Sequence, residues 1–81
     1  MGVEAVEQVF REVFENPELH INPAMTAAEV DNWDSFNHIN LVVALEDRFA
    51  ITLTTEEIAS MANVGDLVKV LQAKGVPVAW S

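Results

Sequence analysis

Apolar residues in this chain recur at three- and four-residue spacing in four separate stretches, and alternation with polar ones never runs past a few residues. That period lets an α-helix present one apolar face, so the chain has to fold by packing helices together. The first stretch carries Val3, Val6, Phe10, Val13 and Phe14, with Glu4, Glu7, Arg11 and Glu12 between them. It is expected to end near Asn16, because Pro17 disfavours helix in the residue before it. The second stretch runs from Ser35 to Phe49. The third opens on Thr54-Thr55-Glu56-Glu57, a capping box in which Thr54 caps and Glu57 reaches back, with Ile58 and Met61 facing inward. The fourth has Asn63 as its cap, Val64, Leu67, Val68 and Leu71 along one face, and Gly75 and Pro77 as stop signals. This spacing predicts helices over about 3–15, 35–49, 55–61 and 64–74, with a tail over 76–81. The expected fold is all-α, a small four-helix bundle in one domain over 1–81, with a long first loop and a short third helix.

The connection from Glu15 to Asp34 is longer than most loops that are neither functional nor disordered. It contains Pro17 and Pro23 but also Leu19, Ile21, Met25 and Val30, so it is expected to be pinned to the core, with Leu19 and Ile21 as the pins. In the tail, Trp80 either folds back on the bundle or touches a partner. The chain has 81 residues, 51 % of them hydrophobic, enough for a small core without staples. There is no cysteine, hence no disulfide, thiol nucleophile or cysteine-based zinc site, and His20 and His38 offer no ligand spacing for a metal.

The formal charge is −9, from 13 acidic and 4 basic side chains. Nucleic acid and anionic membrane surfaces are excluded as partners, because phosphate contacts need Lys and Arg. Proteins with basic patches are favoured, although acidity also serves solubility alone. No apolar run approaches a membrane span, and the acidic start is no signal peptide. Gly2 invites a myristoylation reading, but Val6 stands where Ser or Thr is needed. A monomeric, cytoplasmic protein is expected.

The second helix carries two apolar stripes where one is usual. Advancing about 100° per residue from Ser35 puts Leu41, Val42, Leu45 and Phe49 on one arc, the core face. Phe36, Ile39 and Val43 fall on a second arc, flanked by Glu46 and Asp47. This second stripe reads as a docking patch, with Phe36 the member expected to be partly buried; the alternative packs it under the long loop or third helix. Ser35 stands where the loop meets the helix, at a terminus whose unpaired N–H groups favour an attached phosphate. Taken alone, Asp34 or Ser35 equally fits an ordinary helix cap. His38, three residues on, tempts a Ser-His dyad, but it falls on the core arc and no oriented base or oxyanion donors accompany it. A histidine that tethers the loop is expected, with contact to a phosphate on Ser35 as a second possibility.

Trp33-Asp34-Ser35-Phe36, the helix after it, the Leu-Thr-Thr-Glu-Glu break at 53–57 and the Asn63-Val-Gly-Asp-Leu67 start of the last helix resemble the acyl carrier protein family, over nearly the whole of 3–75. The resemblance implies a four-helix bundle of the acyl-carrier type that is not an enzyme. It implies that Ser35, flanked by Asp34 and Phe36, carries 4′-phosphopantetheine, added from coenzyme A by a phosphopantetheinyl transferase. The arm's thiol would hold acyl or aminoacyl thioesters for loading enzymes and downstream synthases. Phe36, Ile39, Val43, Glu46 and Asp47 would contact those partners. The family's signature has leucine where Phe36 stands, and its fatty-acid carriers usually have acids where Asn37 and Asn40 stand. Together with Trp33 and His38, this points to a discrete carrier for polyketide, peptide or related specialised assembly. The other readings are an adaptor that keeps the fold unmodified, and a small hydrolase using Ser35 and His38. Leu41, Leu45, Leu53, Ile58, Met61 and Leu71 are candidates for an inner cargo pocket.

Overall fold

The computed structural model describes residues 3–30 and 32–80. Gly2 and Ser81, on which the myristoylation reading and the end of the tail fall, lie outside the described residues. Four helices follow in order: α1 Glu4–Val13, α2 Ser35–Phe49, α3 Thr55–Ala59 and α4 Val64–Ala73. No strand occurs among the described residues, and none of these helices is long and apolar enough to cross a membrane. Helix α1 packs against α2. Val6, Phe10, Leu41, Leu45, Val64, Leu67, Val68 and Leu71 form the fully buried centre, in line with the 3.6-residue pattern.

The three longer helices end by one device. Each is followed by a residue in the left-handed region, Glu15 (φ 52°), Ala50 (φ 54°) and Gly75 (φ 88°). The next amide then reaches back five residues, from Asn16 to Arg11 O, Ile51 to Glu46 O and Val76 to Leu71 O, at 3.0 to 3.1 Å. This closure satisfies carbonyls that a helix end leaves open. It also stops α1 at Val13, two residues short of the expected end, because Glu15 has already left helical geometry. Helix α3 likewise stops at Ala59 rather than Met61. The Ser60 hydroxyl donates to Glu57 O at 2.8 Å, and the chain turns toward the Asn63 cap of α4. The capping box of α3 is present, and Glu57 also pairs with Lys74 at 2.9 Å. Hydrogen bonding to the Lys74 ammonium, aided by the Thr54 N–H, holds the Glu57 carboxyl below its usual range.

The long loop is pinned at both flanks. On one side, Ile21 N–H donates to the Glu7 carboxylate (3.0 Å) and Arg11 Nε–H donates to Leu19 O (2.8 Å). Ile21 is buried and Leu19 half-buried, with Met25, Val30 and Trp33 also buried. On the other side, the loop caps α4. Val64 N–H donates to Met25 O (2.9 Å), Gly65 N–H to Pro23 O (3.0 Å) and Asp66 N–H to the Asn63 side chain (2.8 Å). The opening amides of α4, which no helix can satisfy internally, are thus taken up by loop carbonyls and the cap. A Cβ built on Gly65 would lie 2.8 Å from Pro23 O, so the position admits no side chain while the loop is seated. The tail folds back on α4: Val76 and Val78 are buried, Gln72 Nε2 donates to Val78 O (2.9 Å), and Trp80 is half-buried against the core.

Two substitutions test this account by thermal denaturation. Gly65→Ala raises helix propensity by about 1 kcal/mol yet is expected to destabilise the protein, since overpacking against Pro23 O costs about 1–3 kcal/mol. A melting temperature equal to or above wild type would refute the close approach. Ala50→Gly removes the steric penalty of a left-handed alanine and is expected to stabilise by about 0.5–1 kcal/mol, raising the melting temperature a few degrees. Destabilisation by Ala50→Gly would argue against the left-handed cap.

Candidate functional site

The loop delivers its last residues to α2 with one side chain buried and the next two exposed. Trp33 is buried, edge-on to Phe10 at 5.5 Å between centroids and tilted against Phe14 at 5.8 Å. Its neighbours Asp34 and Ser35 are both exposed. Asp34 is the N-cap: its backbone is extended and its carboxylate accepts from Asn37 N–H at 2.9 Å. Ser35 is therefore the first helical residue, not the cap. The amides of Ser35 and Phe36 open the helix without intrahelical partners, at its partially positive end. Asn32, with φ 71°, turns the chain here, and its carbonyl accepts from Asn37 Nδ2 at 2.6 Å. Asn40 Nδ2 in turn donates to Asn37 Oδ1 at 3.1 Å. Asn37 thus braces the loop end on the helix, and Asn40 holds Asn37 in turn.

Beside Ser35 lies a cleft of about 630 Å³ between α2, the loop end and α3. Ala27, Trp33, His38, Ile39, Ile58 and Met61 are among its walls, and Ser35 and Asp34 stand at its rim. The expected inner pocket is corrected by this geometry. Of the six candidates only Ile58 and Met61 line the cleft, while Leu41, Leu45 and Leu71 are fully enclosed and Leu53 is buried elsewhere in the core.

His38 joins the walls. Trp33 Nε1–H donates to His38 Nδ1 at 3.0 Å, and His38 Nε2 lies 3.3 Å from Ile58 O. An indole nitrogen can only donate, so Nδ1 is the acceptor and Nε2 carries the proton given to Ile58 O. Both ring nitrogens are occupied, which removes the Ser-His dyad and equally the phosphate contact. The tether stands, but it holds more than the loop: it also grips α3.

The second stripe of α2 is in solvent. Phe36 is 74 % exposed, Ile39 53 % and Val43 57 %, so none packs under the loop or α3. Phe36, the member expected to be partly buried, is the most exposed of the three, and the buried aromatic at the loop end is Trp33. Asp47 is exposed at the edge of the stripe. Glu46 departs from this group. It is half-buried, and its carboxylate accepts from Leu53 N–H at 2.8 Å, fastening the connection between α2 and α3. Among the described residues no cluster of His, Asp and Glu suited to a metal ion occurs. The residues present suit a phosphorylated prosthetic group: an exposed hydroxyl, a helix N-terminus and an adjoining apolar cleft. Sequence reasoning missed Trp33 and the Ile58 carbonyl as partners of His38; the tryptophan directly before the exposed pair, with a core-side histidine just beyond, was the available signal.

The family model for the phosphopantetheine attachment site matches residues 4–71. The acyl carrier protein of Helicobacter acinonychis (strain Sheeba) is 38 % identical over 39 residues, which cover 48 % of this chain and 50 % of that protein. The chain thus spans about half the length of the curated relative it matches. The solution NMR structure of holo acyl carrier protein from Geobacter metallireducens aligns with a TM-score of 0.83 at 33 % identity, over 89 % of this chain and 83 % of that one. Family, fold and site geometry agree: the chain belongs to the acyl carrier protein family, carriers rather than enzymes, whose prosthetic group is covalently attached 4′-phosphopantetheine.

Proposed function

We propose that Ser35 bears the 4′-phosphopantetheine of this carrier. The observation that carries this reading is the exposed Ser35 at the first position of α2, next to the Asp34 cap and at the rim of the apolar cleft. When bound, the group supplies the thiol that holds acyl or aminoacyl cargo as a thioester. Everything else is done by the chain. Asp34 fixes the first turn so that the Ser35 side chain faces solvent and a transferase. The helix terminus favours the phosphate charge. Ile39, Ile58 and Met61 offer apolar surface to cargo.

Phe36, Ile39 and Val43, with Asp47 at their edge, are the docking face for the phosphopantetheinyl transferase and for loading and synthase partners. Three large apolar side chains in solvent near Ser35 support this reading, because a partner seated on them would lie beside the cargo. Glu46 is excluded from this face by its bond to Leu53. From Ser35 through Leu45, α2 has no acidic or basic side chain other than His38. This neutrality supports a dedicated partner set in polyketide, peptide or related specialised assembly over the fatty-acid pathway. Basic patches on partners would meet Asp34 and Asp47, at the two ends of the face.

Two experiments test the reading. Incubation with coenzyme A and a broad-specificity phosphopantetheinyl transferase should add the mass of one phosphopantetheine, seen by intact-mass spectrometry and absent in Ser35→Ala. No gain on folded protein would shift the weight to an unmodified adaptor. Val43→Asp should lower transferase or synthase kcat/KM about tenfold, the equivalent of about 1.4 kcal/mol. Because Val43 is exposed, stability should change by less than about 1 kcal/mol. Unchanged kinetics in every partner assay would move the docking face elsewhere.

A further inference from the structure

The core row of α2 begins, at the Ser35 end, with a histidine rather than an aliphatic residue. His38, Leu41, Val42 and Leu45 stand at i, i+3, i+4 and i+7 and so share one side of the helix. Leu41 and Leu45 are fully enclosed and Val42 is buried, whereas His38 is half-buried and lines the cleft. A chain that entered the core row from Ser35 would have to pass this ring. The ring is held on both sides. Nδ1 accepts from Trp33 Nε1–H on the loop at 3.0 Å, and Nε2 lies 3.3 Å from Ile58 O on α3. Swinging the imidazole out would break both bonds and leave the N–H of a buried tryptophan unpaired. Trp33 continues the barrier. Its indole lies 5.5 Å from Phe10, 5.8 Å from Phe14 and 6.1 Å from the imidazole, centroid to centroid. These are contact separations for packed rings, which leave no passage for an acyl chain between them.

We propose that Trp33 and His38 form a stop wall that sets cargo size: the carrier shelters a short apolar acyl group in the cleft and leaves the rest of a longer chain in solvent. The consequence for cargo rests on the reading of Ser35 as the attachment point; the wall itself does not. The polar side chains of the cleft other than His38 and Trp33 are Asp34, Ser35 and Thr55, and all three are exposed. Its less exposed lining is Trp33, His38, Ile58 and Met61, in which every side-chain nitrogen is already engaged. A hydroxyl or amino group on the sheltered segment would find no partner there, so the cleft selects against it. A partner enzyme would meet the outer part of the cargo directly, with nothing to draw out of the core.

The test has two arms. In the first, unmodified protein is placed under xenon, which occupies dry apolar cavities, and its methyl groups are followed by NMR. The methyls of Leu41, Val42 and Leu45 should stay unmoved in wild type and shift in His38→Ala, with far-UV circular dichroism showing that the helices are kept. Trp33→Phe, which trims the other half of the wall and removes the bond to His38, is the second variant should His38→Ala not fold. Shifts at Leu41 or Leu45 in wild type would overturn the proposal, as would their absence in a folded wall variant. In the second arm, a broad-specificity transferase loads the protein from butyryl-, hexanoyl-, octanoyl- and dodecanoyl-coenzyme A, and each product is melted. The melting temperature should rise and then level off before dodecanoyl in wild type. In the wall variant it should go on rising, by at least about 4 °C, as more methylenes are buried. A continued rise through dodecanoyl in wild type, or no rise with any cargo, would overturn the proposal. Intact mass is read before melting, so a missing mass gain counts against Ser35 as the attachment point while the xenon arm still decides the wall.

Discussion

The opening amides of α4 point at the carbonyls of Pro23 and Met25, and this backbone-to-backbone grip sets the course of the long loop. It is possible only because residue 65 is glycine and Asn63 closes the third amide. A twenty-residue connection is entropically costly to order, and isolated apolar pins rarely suffice. Here the helix end supplies donors that must be satisfied in any case, so ordering the loop and capping α4 are the same event. The Arg11–Glu7 pair performs the matching task on α1, offering donor and acceptor to Leu19 and Ile21.

Once the loop is held at both flanks, its exit is determined. Trp33 buries an aromatic ring against α1, and the turn at Asn32 with the cap at Asp34 leaves Ser35 outside. A buried residue followed directly by exposed ones places Ser35 on the surface and the apolar cleft just behind it. The helix therefore serves two faces: one packs into the core through Leu41, Val42 and Leu45, and the other stays in solvent through Phe36, Ile39 and Val43.

The sequence made the helices, the second stripe and the helix start at Ser35 legible because each is a local, periodic or capping signal. Thr54 with Glu57, and Asn63 with Asp66, act as their spacing indicates. Helix ends were less legible: Glu15 and Ala50 are not residues that advertise a left-handed turn, whereas Gly75 is. The cleft was misplaced because large leucines suit a packed core and a pocket lining equally well; only the tertiary arrangement separates enclosed Leu41 and Leu45 from Ile58 and Met61 at the cleft. Glu46 looked like a rim charge on the helix wheel, and its bond to Leu53 arises from a loop whose path no periodicity describes.

The asparagine brace at the start of α2 carries a wider consequence. Asn32, Asn37 and Asn40 spend polar groups on one another that acidic residues would have turned outward. An enzyme that selects carriers by long-range attraction would find little to read between Asp34 and Glu46. A cell that holds several carriers of the same fold and comparable net charge must prevent their cargoes from being exchanged. An uncharged first turn with a protruding phenylalanine would provide that insulation by leaving recognition to shape at contact, where a mismatched surface is rejected without competing for the encounter.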